Sequence, residues 1–312
     1  MKALLLDATH PLLEEGLEKA GIELIRDFET SFSDFPQAYF QVDAVVIRSR
    51  MTLDASFITA FPNLKAIGRL GAGLENIDTS FAQSKGISCL RVPEGNAQAV
   101  AEHCLGMLLS LINHQPRAAM EVRKGLWRRE ENKGRELVSL TVGIIGYGVM
   151  GAHFAQMLAA LGVKVLAHDK YKSGFSSDRI AEASLTDLYR ECDVISLHLP
   201  LTEETHYFAN AEFFNAFQKP IYFLNTARGP IAQTEAVVEG LETGQILGVG
   251  LDVLEYEKKS FTQLFSNEMP EPLQKLLQRD NVIITPHIAG WTHESFAKMG
   301  KDLADKLRKV LV

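Results

Sequence analysis

Between Leu137 and Val163 the chain carries no Asp, Glu, Lys or Arg, and the middle of that stretch reads Gly146-Tyr147-Gly148-Val149-Met150-Gly151. A run of that length is long enough to cross a bilayer. Five glycines interrupt it, however, and His153 and Gln156 fall in its second half, so strand, glycine turn and helix describe it better. The apolar run Val142–Ile145 leads directly into Gly146, and Phe154, Met157, Leu158 and Leu161 follow at i, i+3, i+4, i+7 spacing. In that setting G-x-G-x-x-G is a dinucleotide-binding turn. Gly146 allows the tight turn, Gly148 lets backbone approach a pyrophosphate, Gly151 allows close helix–strand packing, and the helix N-terminus attracts the phosphate charge.

Asp169 stands eighteen residues beyond Gly151, at the end of the apolar run Val163–His168. A carboxylate there accepts hydrogen bonds from the adenosine ribose hydroxyls and repels a 2′-phosphate, which favours NAD over NADP. Lys170 and Lys172 are close enough in sequence to offset part of that repulsion.

Short apolar runs alternate with helical patterns along the rest of the chain. Lys2–Asp7, Ile22–Ile25, Ala44–Ile47, Leu64–Ile67 and Ile87–Leu90 read as strands of a first α/β unit. Asn96–Asn113 is apolar on nearly every face and reads as a buried helix at a domain crossover. A second series follows at Thr141–Ile145, Val163–His168, Val194–Leu197, Ile221–Leu224, Leu247–Leu251 and Val282–Ile284, mostly separated by helical patterns. The chain closes with a helix bearing Phe296, Met299, Leu303 and Leu307 on one face. The net charge of −7 and the lack of any Lys/Arg block disfavour nucleic-acid or anionic-membrane partners. Cys89, Cys104 and Cys192 lie far apart without C-x-x-C spacing, which excludes a disulfide scaffold or zinc ribbon and suits a reducing cytosol. The apolar start, Ala3–Leu6, is too short for a signal peptide, and no metal site is expected.

Hydride transfer to or from a hydroxy acid needs a base for the hydroxyl proton, a cation for the carboxylate and an acid that supports the base. Arg228, Glu257 and His287 supply one of each, and all three follow predicted strands. In open α/β sheets ligands bind beyond the carboxyl ends of the strands, where the three can converge. Arg228 offers a planar fork matched to a carboxylate. Histidine, with an unperturbed pKa of about 6.5, both takes and returns a proton near neutrality, and a carboxylate partner favours the imidazolium and orients the ring.

With these features in place the chain resembles the D-isomer-specific 2-hydroxyacid dehydrogenase family over nearly its whole length. The resemblance is carried by Gly71-Ala72-Gly73-Leu74-Glu75-Asn76-Ile77-Asp78, Ala101-Glu102-His103, the glycine fingerprint, His198-Leu199-Pro200, Asn225 to Gly229, Gly250-Leu251-Asp252-Val253 and Pro286-His287. It implies a two-domain α/β fold, with an NAD-binding Rossmann domain (99–287) inserted into a flavodoxin-like substrate domain (1–98, completed by a C-terminal helix in 288–312). It also implies a homodimer. Arg228 would hold the substrate carboxylate, His287 would be the acid–base group and Glu257 its partner. Asp252 would meet the nicotinamide end. His198, Pro200, Thr205, Thr226, Ala227, His287 and Gly290 would join the fingerprint, with Tyr147, Val149 and Met150, in the cofactor cleft. The loop Arg69 to Leu74, with Gly71, Ala72 and Gly73, would cradle the substrate, Trp291 would wall the site, and His103 would be structural.

Two positions depart from the family pattern: Lys258 follows Glu257 where proline is common, and Gln233 replaces an acidic residue after the Arg-Gly turn. Arg48, Arg69 and Arg129 match positions where the phosphoglycerate dehydrogenase branch carries arginine, which points to 3-phosphoglycerate. The stretch Asp252-Val253-Leu254-Glu255-Tyr256-Glu257 looks somewhat like the lactate enzymes, and D-lactate dehydrogenase or glyoxylate/hydroxypyruvate reductase is the alternative substrate class. An NAD-sensing corepressor-like binding protein is the alternative from a different functional class.

Overall fold

The computed structural model describes residues 1–257 and 269–312. They divide into two compact α/β units, residues 1–97 with 291–312 and residues 98–257 with 269–290.

In the first unit five parallel strands, β1 (Lys2–Leu5), β2 (Glu23–Arg26), β3 (Ala44–Ile47), β4 (Ala66–Arg69) and β5 (Ser88–Leu90), lie in the order β2-β1-β3-β4-β5. That is the flavodoxin-like winding. The central strand β3, Ala44-Val45-Val46-Ile47, is buried at every residue because both faces of the sheet are covered, as a parallel sheet requires. On one face the helices Pro11–Lys19 and His293–Leu311 bury Leu13, Leu17, Leu303 and Leu307. On the other, Phe35, Phe57 and Phe61 close the core. The chain end returns here because the last helix has a wide apolar stripe, with Met299, Leu303, Leu307 and Leu311 all buried.

In the second unit seven parallel strands, β6 (Thr141–Ile145), β7 (Lys164–His168), β8 (Ile180–Glu182), β9 (Val194–Leu197), β10 (Ile221–Asn225), β11 (Ile246–Leu251) and β12 (Val282–Ile284), are ordered β12-β11-β10-β9-β6-β7-β8. Strand order reverses between β6 and β9, which opens a crevice at their carboxyl ends. The helix Pro93–Ile112 buries Ala101, Cys104, Leu108 and Ile112 against one face. Phe213, Phe214, Val237, Leu241, Leu273 and Leu276 cover the other. The charge-free stretch is broken into β6 and the helix Val149–Ala160, and among the described residues no helix is long and apolar enough to cross a membrane.

Sequence and structure differ at one edge strand, at element ends and at the domain boundaries. The edge strand β8 escapes hydrophobic patterning because it has three residues, two of them exposed. Several strand ends move by one or two residues, as at β4 and β5. The second crossover falls after Gly290 and not after His287, because Ile288 and Ala289 donate backbone N–H bonds to Asp252 at 2.9 and 2.7 Å and Ala289 is buried in the second unit's core.

Candidate functional site

The three fingerprint glycines have three different surroundings. Gly146 has φ +94°, and a Cβ there would lie 2.5 Å from the His198 carbonyl oxygen, so both conformation and space require glycine. A Cβ on Gly151 would lie 2.0 Å from the Gly146 carbonyl oxygen, so the helix starts against the strand it leaves. A Cβ on Gly148 would meet no protein atom within 4 Å. The helix Val149–Ala160 begins at Gly148 with no side chain capping its N–H groups. Open space at Gly148 beside uncapped helix donors fits a diphosphate, and the residues present therefore suit a dinucleotide.

Asp169 follows β7 directly. Its Oδ2 accepts from the Tyr147 N–H at 2.7 Å, and its Oδ1 accepts from the N–H groups of Tyr171 and Lys172 at 2.9 and 3.0 Å. The carboxylate is thereby locked to the fingerprint. Lys170 is paired with Glu204, whereas Lys172 Nζ donates to the neutral Tyr147 carbonyl at 3.1 Å and keeps its charge near the site. The Tyr147 ring stacks on Phe175 at 4.0 Å and 14°, a contact that no spacing in the sequence announces.

At the carboxyl ends of β11 and β12 stands the pair with the clearest chemistry. Nδ1 of His287 lies 2.7 Å from Oε2 of Glu257, and the other oxygen of Glu257 accepts from the Leu254 N–H. His287 has φ +55°, a left-handed conformation uncommon for a non-glycine residue that costs about 1–3 kcal/mol. Its N–H donates to the Asp252 carbonyl at 2.9 Å. The Asp252 carboxylate, 1% exposed, accepts from Thr285 Oγ1 at 2.5 Å besides the two N–H groups of residues 288 and 289. Thr285 is in turn 3.0 Å from Nε2 of His103. Asp252, expected at the nicotinamide end, is thus the knot that holds the His287 loop, and His103 braces it from the buried helix.

Arg228 follows β10 in a loop fixed by Asn225, whose Oδ1 accepts from the Ala227 N–H at 3.1 Å and whose Nδ2 donates to the Arg228 carbonyl at 3.0 Å. Arg228 Nη1 donates to the Ala227 carbonyl at 2.6 Å. Gly229 is required by packing, since a Cβ would lie 2.0 Å from the Leu254 carbonyl group. Thr226 meets Cys104 Sγ at 3.2 Å, and burial pushes that thiol up to about 12, which leaves it protonated and unreactive.

Thr205 uses its hydroxyl to close its own turn, donating to the Pro200 carbonyl at 2.6 Å. His198 sits 2.9 Å from Ser196 Oγ, and desolvation holds its imidazole down to about 4. An unfolded histidine protonates near 6.5 while this one stays neutral until about 4, so the unfolded chain binds the extra proton and stability falls as pH drops through that window. The loss is about 3 kcal/mol once both steps are passed. Thermal unfolding at pH 7 and pH 4.5 is expected to show a smaller drop for His198→Gln than for the wild type; equal drops would contradict a neutral His198.

In the first unit the Arg48 guanidinium lies 4.7 Å from the centre of the Trp291 ring, a cation–π contact, and the Arg48 carbonyl accepts from Arg69 Nε at 3.1 Å. The Arg69 guanidinium curls over Gly71, where a Cβ would come within 2.2 Å of it. The Ala72 carbonyl accepts from Arg91 at 3.1 Å, and Gly73 is buried. These candidate substrate residues gather around one loop. Arg129 belongs to the second unit and is exposed. Lys258 lies outside the described residues.

Nothing local in the sequence marks Thr285 or Glu255 as part of the site. Glu255 accepts from both the N–H and the hydroxyl of Thr234, at 2.7 and 2.6 Å. The signal for it was Gln233: a helix start whose expected acid is missing must be capped from elsewhere.

Known proteins resemble this chain in sequence and in fold. Residues 105–289 match the model of the D-isomer specific 2-hydroxyacid dehydrogenase NAD-binding domain. The chain is 38% identical to a hydroxypyruvate reductase of Thermotoga maritima, over 87% of this chain and 85% of that one. It is 35% identical to a D-3-phosphoglycerate dehydrogenase of Synechocystis sp., over 96% of this chain but 54% of that one, so it spans about half the length of that relative. A D-lactate dehydrogenase of Aquifex aeolicus, solved with NAD and lactic acid, superposes with a TM-score of 0.82 at 30% identity, covering 98% of this chain and 94% of that one. The chain belongs to the D-isomer-specific 2-hydroxyacid dehydrogenase family, whose members are NAD-dependent oxidoreductases.

Proposed function

We propose that the chain interconverts a D-2-hydroxy acid and its 2-oxo acid, with 3-phosphoglycerate as the hydroxy acid. The observation that carries the reaction class is the 2.7 Å His287–Glu257 pair, held in a left-handed backbone turn beyond the last strand of a dinucleotide-binding sheet. When bound, NAD supplies the acceptor for the hydride leaving the substrate carbon. Arg228 anchors the substrate carboxylate with its planar fork. The hydroxyl proton passes to Nε2 of His287, the ring nitrogen that Glu257 does not hold, as the carbonyl forms. Glu257 fixes the tautomer and stabilises the imidazolium until the proton is returned or released. In the reducing direction His287 gives that proton to the new hydroxyl.

Cofactor choice rests on Asp169. Asp169→Ala removes a ribose acceptor and a charge that repels a 2′-phosphate. A charged hydrogen bond contributes about 1.5–3 kcal/mol, so kcat/KM with NADH is expected to fall at least about tenfold while NADPH gains relative to it. A wild type that already prefers NADPH would contradict the assignment.

Arg48, Arg69 and Arg129 support the phosphorylated substrate, as does the likeness to a phosphoglycerate dehydrogenase. The hydroxypyruvate reductase, matched over most of its own length, favours a second reading in which the substrate is a small unphosphorylated 2-oxo acid. The two separate on Arg129→Ala. On the first reading 3-phosphoglycerate is oxidised more efficiently than D-lactate or D-glycerate, and losing one phosphate contact lowers its kcat/KM by at least about tenfold with the others almost unchanged. Equal losses on all substrates, or no activity on 3-phosphoglycerate, would overturn the first.

A further inference from the structure

The turn that presents Glu257 is tied to a neighbouring helix by the side chain of Glu255. Its core is closed locally: the Leu254 N–H donates to the Glu257 carboxylate, and the Glu257 N–H donates to the Leu254 carbonyl at 3.2 Å. Under the turn lies Gly229, with no room for a methyl group between it and Leu254. Glu255, at the tip, reaches out to the helix Thr234–Thr243, whose cap residue Gln233 makes no side-chain capping bond. Oε2 of Glu255 accepts from the Thr234 N–H and hydroxyl, and Oε1 accepts from the Tyr207 hydroxyl at 3.1 Å. Tyr207 has φ +51°, and its N–H donates to the Pro230 carbonyl at 2.8 Å, two residues past Arg228. A ring of contacts therefore runs from the Arg228 loop through Tyr207 and Glu255 to the helix start and back to the turn.

We propose that Glu255 is a positioning residue, holding the first N–H of a helix whose cap residue Gln233 makes no side-chain bond and thereby fixing the Glu257 turn, and with it the His287 ring, relative to the Arg228 loop. The proposal rests on the reading that His287 and Glu257 exchange the substrate proton. A carboxylate suits the task because it accepts three donors at once and because negative charge is favoured at a helix N-terminus. The ordinary solution, an acid at the cap position itself, would satisfy the helix and leave the turn untethered.

The test separates capping from positioning in the full chain. Glu255→Ala is expected to lower kcat about 10–100-fold, the scale of a misplacement of about 1 Å, with KM for NADH within twofold. Adding Gln233→Asp returns a conventional cap. The double variant is expected to recover the wild-type Tm but not kcat; the His287 Nδ1–H proton resonance, expected to be sharp in the wild type with its 2.7 Å bond to Glu257, is expected to be broadened or shifted in both variants. Glu255→Gln, which keeps an oxygen for Thr234 but loses the charge and the second acceptor, is expected to lie between Glu255→Ala and the wild type in kcat and in the resonance. Recovery of kcat and the resonance along with Tm in the double variant would reduce Glu255 to a helix cap and overturn the proposal, as would wild-type kcat and resonance in Glu255→Ala. The resonance needs no turnover, so a wild type inactive on every 2-oxo acid would sink the reaction assigned above while leaving this test intact.

Discussion

His287→Asn is expected to lower kcat by about 10²–10⁴, the span for loss of a general acid–base group, while NADH still binds. Asparagine tolerates the left-handed backbone that His287 adopts at φ +55°, so the loop held by Asp252 has no reason to rearrange. Its amide can reach toward Glu257 but cannot carry a proton between substrate and solvent. Steady-state kinetics on the purified, folded variant, with NADH binding followed by fluorescence, checks both halves. A near-wild-type kcat would remove His287 from the chemistry.

Arg228→Ala has the second large effect. Two charge-assisted hydrogen bonds to a carboxylate, at about 1.5–3 kcal/mol each, correspond to a fall of about 10²–10⁴ in kcat/KM. The loss should be shared by every 2-hydroxy and 2-oxo acid, because the carboxylate is common to all of them. Arg228→Lys should recover only part of it, since an ammonium lacks the fork. The Arg228 loop is built by Asn225 and Gly229, not by the guanidinium alone, so the fold should survive the change. A kcat/KM within tenfold of wild type for Arg228→Ala would contradict the anchoring role.

Much of this was legible in the sequence because two signals coincide there. Buried parallel strands such as Ala44–Ile47 and Val194–Leu197 are apolar at nearly every position and stand out between polar segments. The fingerprint glycines announce their own geometry, and the requirements at Gly146 and Gly151 are steric. What stayed hidden depends on contacts between residues far apart in sequence. Nothing local marks His287 as left-handed; that follows from Asp252, thirty-five residues earlier, accepting the donors on either side of it. Glu255 likewise reads as one acid among several until Thr234 and Tyr207 are seen to donate to it. β8 was hidden for the opposite reason, being a short edge strand with little to bury.

The most direct measurement is NADH oxidation with pyruvate, glyoxylate, hydroxypyruvate and 3-phosphohydroxypyruvate, with the chirality of any chiral product determined. The expected result is turnover with at least one of these acids, loss of that turnover in His287→Asn, and formation of the D-hydroxy acid only. NADH that binds but is oxidised by none of them, as in a protein that senses the dinucleotide without using it, would contradict the assignment of Arg228, Glu257 and His287 to catalysis.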